Sequence, residues 1–203
     1  MKELAIKSMK LNRDLDRYVE QALEQGRPVK IGWGRAGDER PKDGEFGVLT
    51  HLPEGAKVLC LGNLGALVGA ANRGGTLTLR GSAGSMLASF HVKGKTVVEK
   101  DVGDKAGFGM QGGEITIQGS SGSETGSAMS GGVLLVRGNA GDYLGSRMSG
   151  GSVIVMGSVG SDPGTGMTGG RIIVSGSCPP PPDGVEMRSI KKSEIKEFAK
   201  NLE

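Results

Sequence analysis

Several groups of residues have the types for chemistry, and their spacing decides what each can do. GWGRAG, Gly32 to Gly37, is a literal G-x-G-x-x-G placed after a predicted strand. In a dinucleotide site such glycines bring backbone N–H groups to a pyrophosphate, and a helix must follow to hold it. Here the turn-rich DERPKDGEFG follows instead, so no dinucleotide site is expected. His51 and His91 have no Ser or Cys that the sequence places beside them. Cys60 and Cys178 lie far apart and make no Cys-x-x-Cys pair for zinc or redox work. Asp104, Glu124, Asp142 and Asp162 fall in different copies of a repeat, with nothing to pair them as general acid and base. Asn72, His91, Met110, Met129, Met148 and Met167 form a column that recurs every 19 residues. It has the makings of a thioether ladder for a soft metal. No Cys or further His accompanies it at ligand spacing, so Met filling gaps in an aromatic-poor core is the expectation. No catalytic, cofactor-binding or metal-ligating residue is expected.

What must position these residues is the repeat itself. Of the 38 glycines, 7 precede residue 61 and 31 follow it. They align at a period of 19. One column reads Gly65, Gly84, Gly103, Gly122, Gly141, Gly160; the Gly-Gly pairs end at Gly75, Gly113, Gly132, Gly151 and Gly170, with Lys93-Gly94 as the weak copy. Each pair introduces five residues of alternating character, such as EITIQ from Glu114 and VLLVR from Val133. Alternation of period two marks a strand with one buried face. The predicted buried columns are Leu77, Thr96, Ile115, Leu134, Val153, Ile172 and Leu79, Val98, Ile117, Val136, Val155, Val174. Val58 and Cys60 extend them, so the first coil begins near residue 56. Like residues stacked from copy to copy describe a parallel β-helix, with one 19-residue coil per repeat. Glycine belongs at its corners, where a positive φ or a close backbone approach excludes a Cβ.

The chain therefore divides into an N-terminal cap (1–55), the β-helix (56–177) and a C-terminal segment (178–203). The cap holds a helix at about 13–25, with Leu15, Tyr18, Val19, Ala22 and Leu23 on one face, then a strand at about 28–32. CPPPP from Cys178 stops the stack, because proline has no N–H for another rung. A short helix near Ser193 follows, with Ile195, Phe198, Ala199 and Leu202 as its apolar stripe. The net charge of +3 is too mild to imply nucleic acid or an anionic membrane. No apolar run approaches the ~18 residues of a spanning helix. MKELAIKSMKLNRDLDR contains no signal-peptide h-region, which points to the cytoplasm.

GNAGDYLGSRMSGGSVIVMG, Gly138 to Gly157, and its neighbouring copies resemble the GXGXG repeat. That repeat forms the right-handed β-helix at the C-terminus of the glutamate synthase large subunit. It also occurs in one component of formylmethanofuran dehydrogenase and in a split methylglutamate synthase. The resemblance spans about residues 56–177, and coil two departs from it at Ala88, Lys93 and Lys100. It implies an all-β fold with short capping helices and a non-catalytic scaffold. FMN and iron–sulfur groups would reside on partner subunits, a glutaminase-type amidotransferase and a flavin-dependent synthase. A formylmethanofuran dehydrogenase component is the alternative within the family. Outside it stand a self-associating binding module and a left-handed β-helix acyltransferase. The acyltransferase wants an 18-residue turn and a catalytic His between subunits, against which the 19-residue period and lone His91 count.

One face is left to explain. The strand positions pointing away from the core read Thr78, Val97, Thr116, Leu135, Ile154, Ile173, turning aliphatic toward the C-terminus. With Val133 and Met156 they make a candidate interface, since a contiguous apolar patch marks a contact. Either a partner or second copy covers it, or the C-terminal tail with Ile195, Phe198 and Leu202 folds back over it.

Overall fold

Alternating side chains with a fixed 19-residue step admit one economical arrangement, in which each copy stacks its strand on the last. The computed structural model describes residues 4–6, 19–32, 46–186 and 193. Its strands are β1 (Leu4–Ile6), β2 (Val29–Ile31), β3 (Lys57–Leu61), β4 (Arg73–Arg80), β5 (Lys93–Val98), β6 (Glu114–Ile117), β7 (Ser130–Val136), β8 (Ser149–Val155) and β9 (Gly169–Val174). They form a single sheet in sequential order, every pair parallel. From β3 onward the register advances by one repeat per strand: Val58 pairs with Leu77, Leu77 with Thr96, and so on to Val153 with Ile172. The fold is the expected β-solenoid, about six turns of about 19 residues. Ile117, Val136 and Val155 are fully buried in one interior ladder, as the alternation requires.

Two further ladders close each coil. Leu64, Ala83, Val102, Ser121, Ala140 and Val159 bridge one another in parallel. The remaining corner alternates left-handed and ordinary backbone. In the coil of Tyr143, positive φ occurs at Tyr143, Gly145 and Arg147. The Tyr143 and Arg147 N–H groups donate forward to Ser161 O and Thr165 O, both at 2.8 Å, and the Gly145 N–H donates back to Thr125 O at 2.8 Å. The copies that begin at Leu67, Met86, Lys105 and Glu124 repeat this pattern, so the corner bonds to both neighbours. A left-handed non-glycine residue costs on the order of 1 kcal/mol; the rungs made at the corner offset it. The same alternation occurs at Gly47, Leu49 and His51, ahead of β3.

The glycine columns answer two different needs. A Cβ at Gly84 would sit 2.7 Å from the carbonyl carbon of Gly65 in the coil before, and one at Gly141 would sit 2.7 Å from Ser123 N. That column is glycine for close approach. Gly132 and Gly151 add a positive φ of 83° and 84° to a similar approach. They end the Gly-Gly pairs where the strand register shifts between Ser130 and Val133 and between Ser149 and Ser152.

At the N-terminal end, residues 19–24 are helical (α1). Val19 and Ala22 are buried, and Leu23 packs against the core. Gly26, at φ 61°, stops the helix. Its N–H donates to Leu23 O at 3.0 Å and that of Arg27 to Ala22 O at 2.8 Å, the paired bonds of a Schellman cap. Leu15 and Tyr18 lie outside the described residues. At the other end, Val185 stands beside Gly164, as Val153 does beside Gly126 and Ile172 beside Gly145. It fills the interior place that a further coil would have supplied. The expected C-terminal helix lies, beyond Ser193, outside the described residues.

Candidate functional site

Of the acidic residues with the types for chemistry, Asp104, Glu124 and Asp142 hold coils together. Asp104 Oδ1 accepts the Ser123 N–H at 2.8 Å, and Asp142 Oδ1 accepts that of Ser161 at 2.7 Å. Glu124 lies 3.3 Å from Lys105 Nζ and 3.8 Å from Arg147 Nη2. The Asp162 carbonyl accepts the Thr165 hydroxyl at 2.9 Å. A second column, which the sequence analysis missed, works the same way. Asn63, Asp101, Ser120, Asn139 and Ser158 each accept the backbone N–H one repeat later, at 2.7 to 3.1 Å. The signal was available: this column holds only Asn, Asp and Ser at steps of 19.

The Met column lies in the interior. Met110, Met129 and Met148 are fully buried, and Met167 packs against the same cluster. Met148 Sδ occupies the space that a Cβ on Gly145 would need, at 2.7 Å, and Met129 Sδ stands similarly against Gly126. Small residues three positions earlier thus make room for folded-back thioethers. Coil two changes both members, to Ala88 and His91, and adds Thr96 to the interior. His91 Nδ1 lies 3.0 Å from Gly112 O and Nε2 lies 3.4 Å from Thr96 Oγ1. A neutral ring donating from Nδ1 and accepting at Nε2 satisfies both contacts. The pair resembles a base beside a hydroxyl nucleophile, yet both residues are fully buried, out of reach of a substrate.

Burial lowers the His91 pKa below its ordinary 6.5, with the Gly112 carbonyl opposing. The unfolded chain therefore binds the proton more readily, and stability falls as pH drops through about 6.5. A melting series from pH 7.5 to 5 should show this loss. The double substitution Ala88→Gly with His91→Met, which restores the pair of the later coils, should flatten it. An equal pH slope in both proteins would rule out His91 as its source.

Of the G-x-G-x-x-G segment only Gly32 falls among the described residues. Cys60 is buried and Cys178 partly so, and the two form no disulfide; burial pushes the Cys178 thiol up. Among the described residues no three His, Cys, Asp or Glu side chains gather closely enough to hold a metal ion, and no helix is long and apolar enough to cross a membrane.

Surfaces are what remain. On the outer sheet face, ion pairs line the early coils: Arg80 with Glu99 at 3.2 Å and Lys95 with Glu114 at 3.4 Å. Toward the C-terminus, Leu135, Ile154 and Ile173 form their own cluster with Val133 and Met156 against them. This candidate interface is not open to solvent: Leu135 is 0% exposed and Ile154 1% within the single chain. The apolar groups that do face solvent lie elsewhere. Phe90 and Val92 are nearly half-exposed, and Phe90 meets Phe108 edge to face with ring centroids 5.6 Å apart.

Compared with known families, the chain matches a model described as the GXGXG motif over residues 102–203, about half its length. The match begins where the irregular second coil ends. No curated protein matches the chain.

Proposed function

The chain belongs to the GXGXG motif family, and on that premise we propose that it is a non-catalytic scaffold subunit of a glutamate-synthase-like oxidoreductase. It would hold a glutaminase-type amidotransferase and a flavin-dependent synthase together, and those partners would carry the FMN and iron–sulfur groups. One observation supports this reading above others. The polar columns of the repeat are engaged in bonding coil to coil, and the imidazole–hydroxyl pair of His91 and Thr96 is sealed in the interior. A rod with its chemistry spent on stacking is suited to presenting surfaces.

The test is purification under native conditions from the source cells. An amidotransferase-type chain and a flavoprotein should copurify with it in fixed ratio. The chain produced alone should be colourless and without glutaminase activity. Stoichiometric flavin on the isolated chain, or copurification with a molybdopterin subunit instead, would overturn the proposal.

A further inference from the structure

Coil two departs from the repeat at Ala88, Lys93 and Lys100, and the family match begins only after it, at residue 102. Its outward corner departs as well. Phe90 is 47% exposed and Val92 46%, with Phe108 of the next coil beside them. In the other coils these three columns hold small or polar residues. Gly109 and Arg147 stand in the place of Phe90, Arg73 and Gln111 in that of Val92, and Ser127 in that of Phe108. Such groups suit a solvated corner; three large apolar ones do not come from the repeat.

The patch is held in place by the coils on either side. Phe90 adopts a left-handed φ of 55°, and its N–H donates to Phe108 O at 2.7 Å. Its ring lies over Gly109, where a Cβ would come within 2.9 Å of Phe90 Cδ1. Phe108 meets that ring edge to face, with centroids 5.6 Å apart. The Val92 N–H donates to Asn72 O at 2.9 Å, which fixes the next outward position. An exposed aromatic that is already ordered loses little freedom on binding, the property of an interface anchor.

Charge decides what it anchors. Arg73 precedes Val92 by one coil and stands opposite Lys93 in the register of β4 and β5. Glu54 holds Lys93 at 2.8 Å, whereas Arg73 is exposed and has no ion pair among the described residues. We propose that this corner docks an acidic protein partner, which lays an apolar side chain on Phe90 and Val92 and a carboxylate on Arg73. A second copy would instead bring its own Arg73 and Lys93 to the patch, like charge against like. Area points the same way. At ~200 Å² for a whole aromatic side chain, the open part of Phe90 is on the order of 100 Å². A stable dimer buries ~800 Å² on each subunit, so this corner is one anchor of a contact and not a dimer face. The inference rests on the scaffold reading and names the surface that one of its partner chains uses.

Copurification of variants tests it, with the tagged full chain expressed in its source cells. Phe90→Asn installs a residue that tolerates the left-handed backbone. It should cut the amidotransferase-type chain or the flavoprotein recovered per scaffold about tenfold or more, with the β-sheet circular dichroism unchanged. Arg73→Glu, which leaves the aromatic pair in place, should do the same. Tyr143→Ser removes an aromatic of similar exposure three coils on, and should leave recovery intact. Full recovery of both partners with either Phe90→Asn or Arg73→Glu would overturn the proposal. So would a dimeric parent that Phe90→Asn converts to monomers, which would assign the corner to a second copy. A parent that recovers neither chain overturns the scaffold reading itself, and this surface with it.

Discussion

Val136→Asp is expected to lower the melting temperature by about 6–20 °C. Val136 is fully buried in the interior ladder of β7, one residue beyond the pairing of Leu135 with Ile154. Its column neighbours are Ile117 and Val155, both fully buried, so a carboxylate there meets neither water nor a cation. An unpaired buried charge costs about 3–5 kcal/mol. For a chain of this size each kcal/mol moves the melting point by about 2–4 °C. The site is also central. In a stacked array each coil is held mainly by its neighbours, so a failed middle coil uncouples the two ends. Thr78→Asp, on the outward side of β4 and half-exposed, should move the transition by about 2 °C at most. Thermal melts of the two variants beside the parent make the check. Equal shifts would mean that the interior assignment of the ladder is wrong.

The second large effect is expected from Gly132→Ala, a gain of one methyl group. Gly132 has a φ of 83°, and a Cβ there would lie 2.5 Å from Met110 Cε, 2.9 Å from Gly112 C and 3.0 Å from Gly112 Cα. The methionine end can swing aside; the backbone of the preceding coil cannot without breaking rungs. Strain at the dihedral contributes about 1–2 kcal/mol and overpacking against fixed backbone about 1–3 kcal/mol more. A useful control is Gly184→Ala, where φ is 88° but nothing lies within 4 Å. It carries the dihedral cost alone. Denaturant unfolding of both variants should place Gly132→Ala lower by about 2 kcal/mol, the part owed to stacking. If the two match, close coil-to-coil approach is not what requires glycine at that column.

Some of this protein was determined by its sequence alone. The 19-residue step, the alternation after each Gly-Gly pair and the two interior columns are properties of nearest neighbours along and between identical coils. Once Leu134 stacks between Ile115 and Val153, every coil repeats the same contact. Fold class and strand register follow from that periodicity. The Asn, Asp and Ser column was legible for the same reason, at the same step. Other features were settled only in three dimensions. Leu67, Met86, Lys105, Glu124, Tyr143 and Asp162 all adopt the left-handed backbone at one corner. Their side chains share no chemistry that announces it, because the rungs above and below impose the conformation. His91 and Thr96 were legible as members of two separate columns, but only the coil brings them to 3.4 Å inside the core. For the outer apolar column the sequence left open whether a partner, a second copy or the C-terminal tail covers it. The burial of Leu135 and Ile154 is a property of the folded chain that no local period encodes.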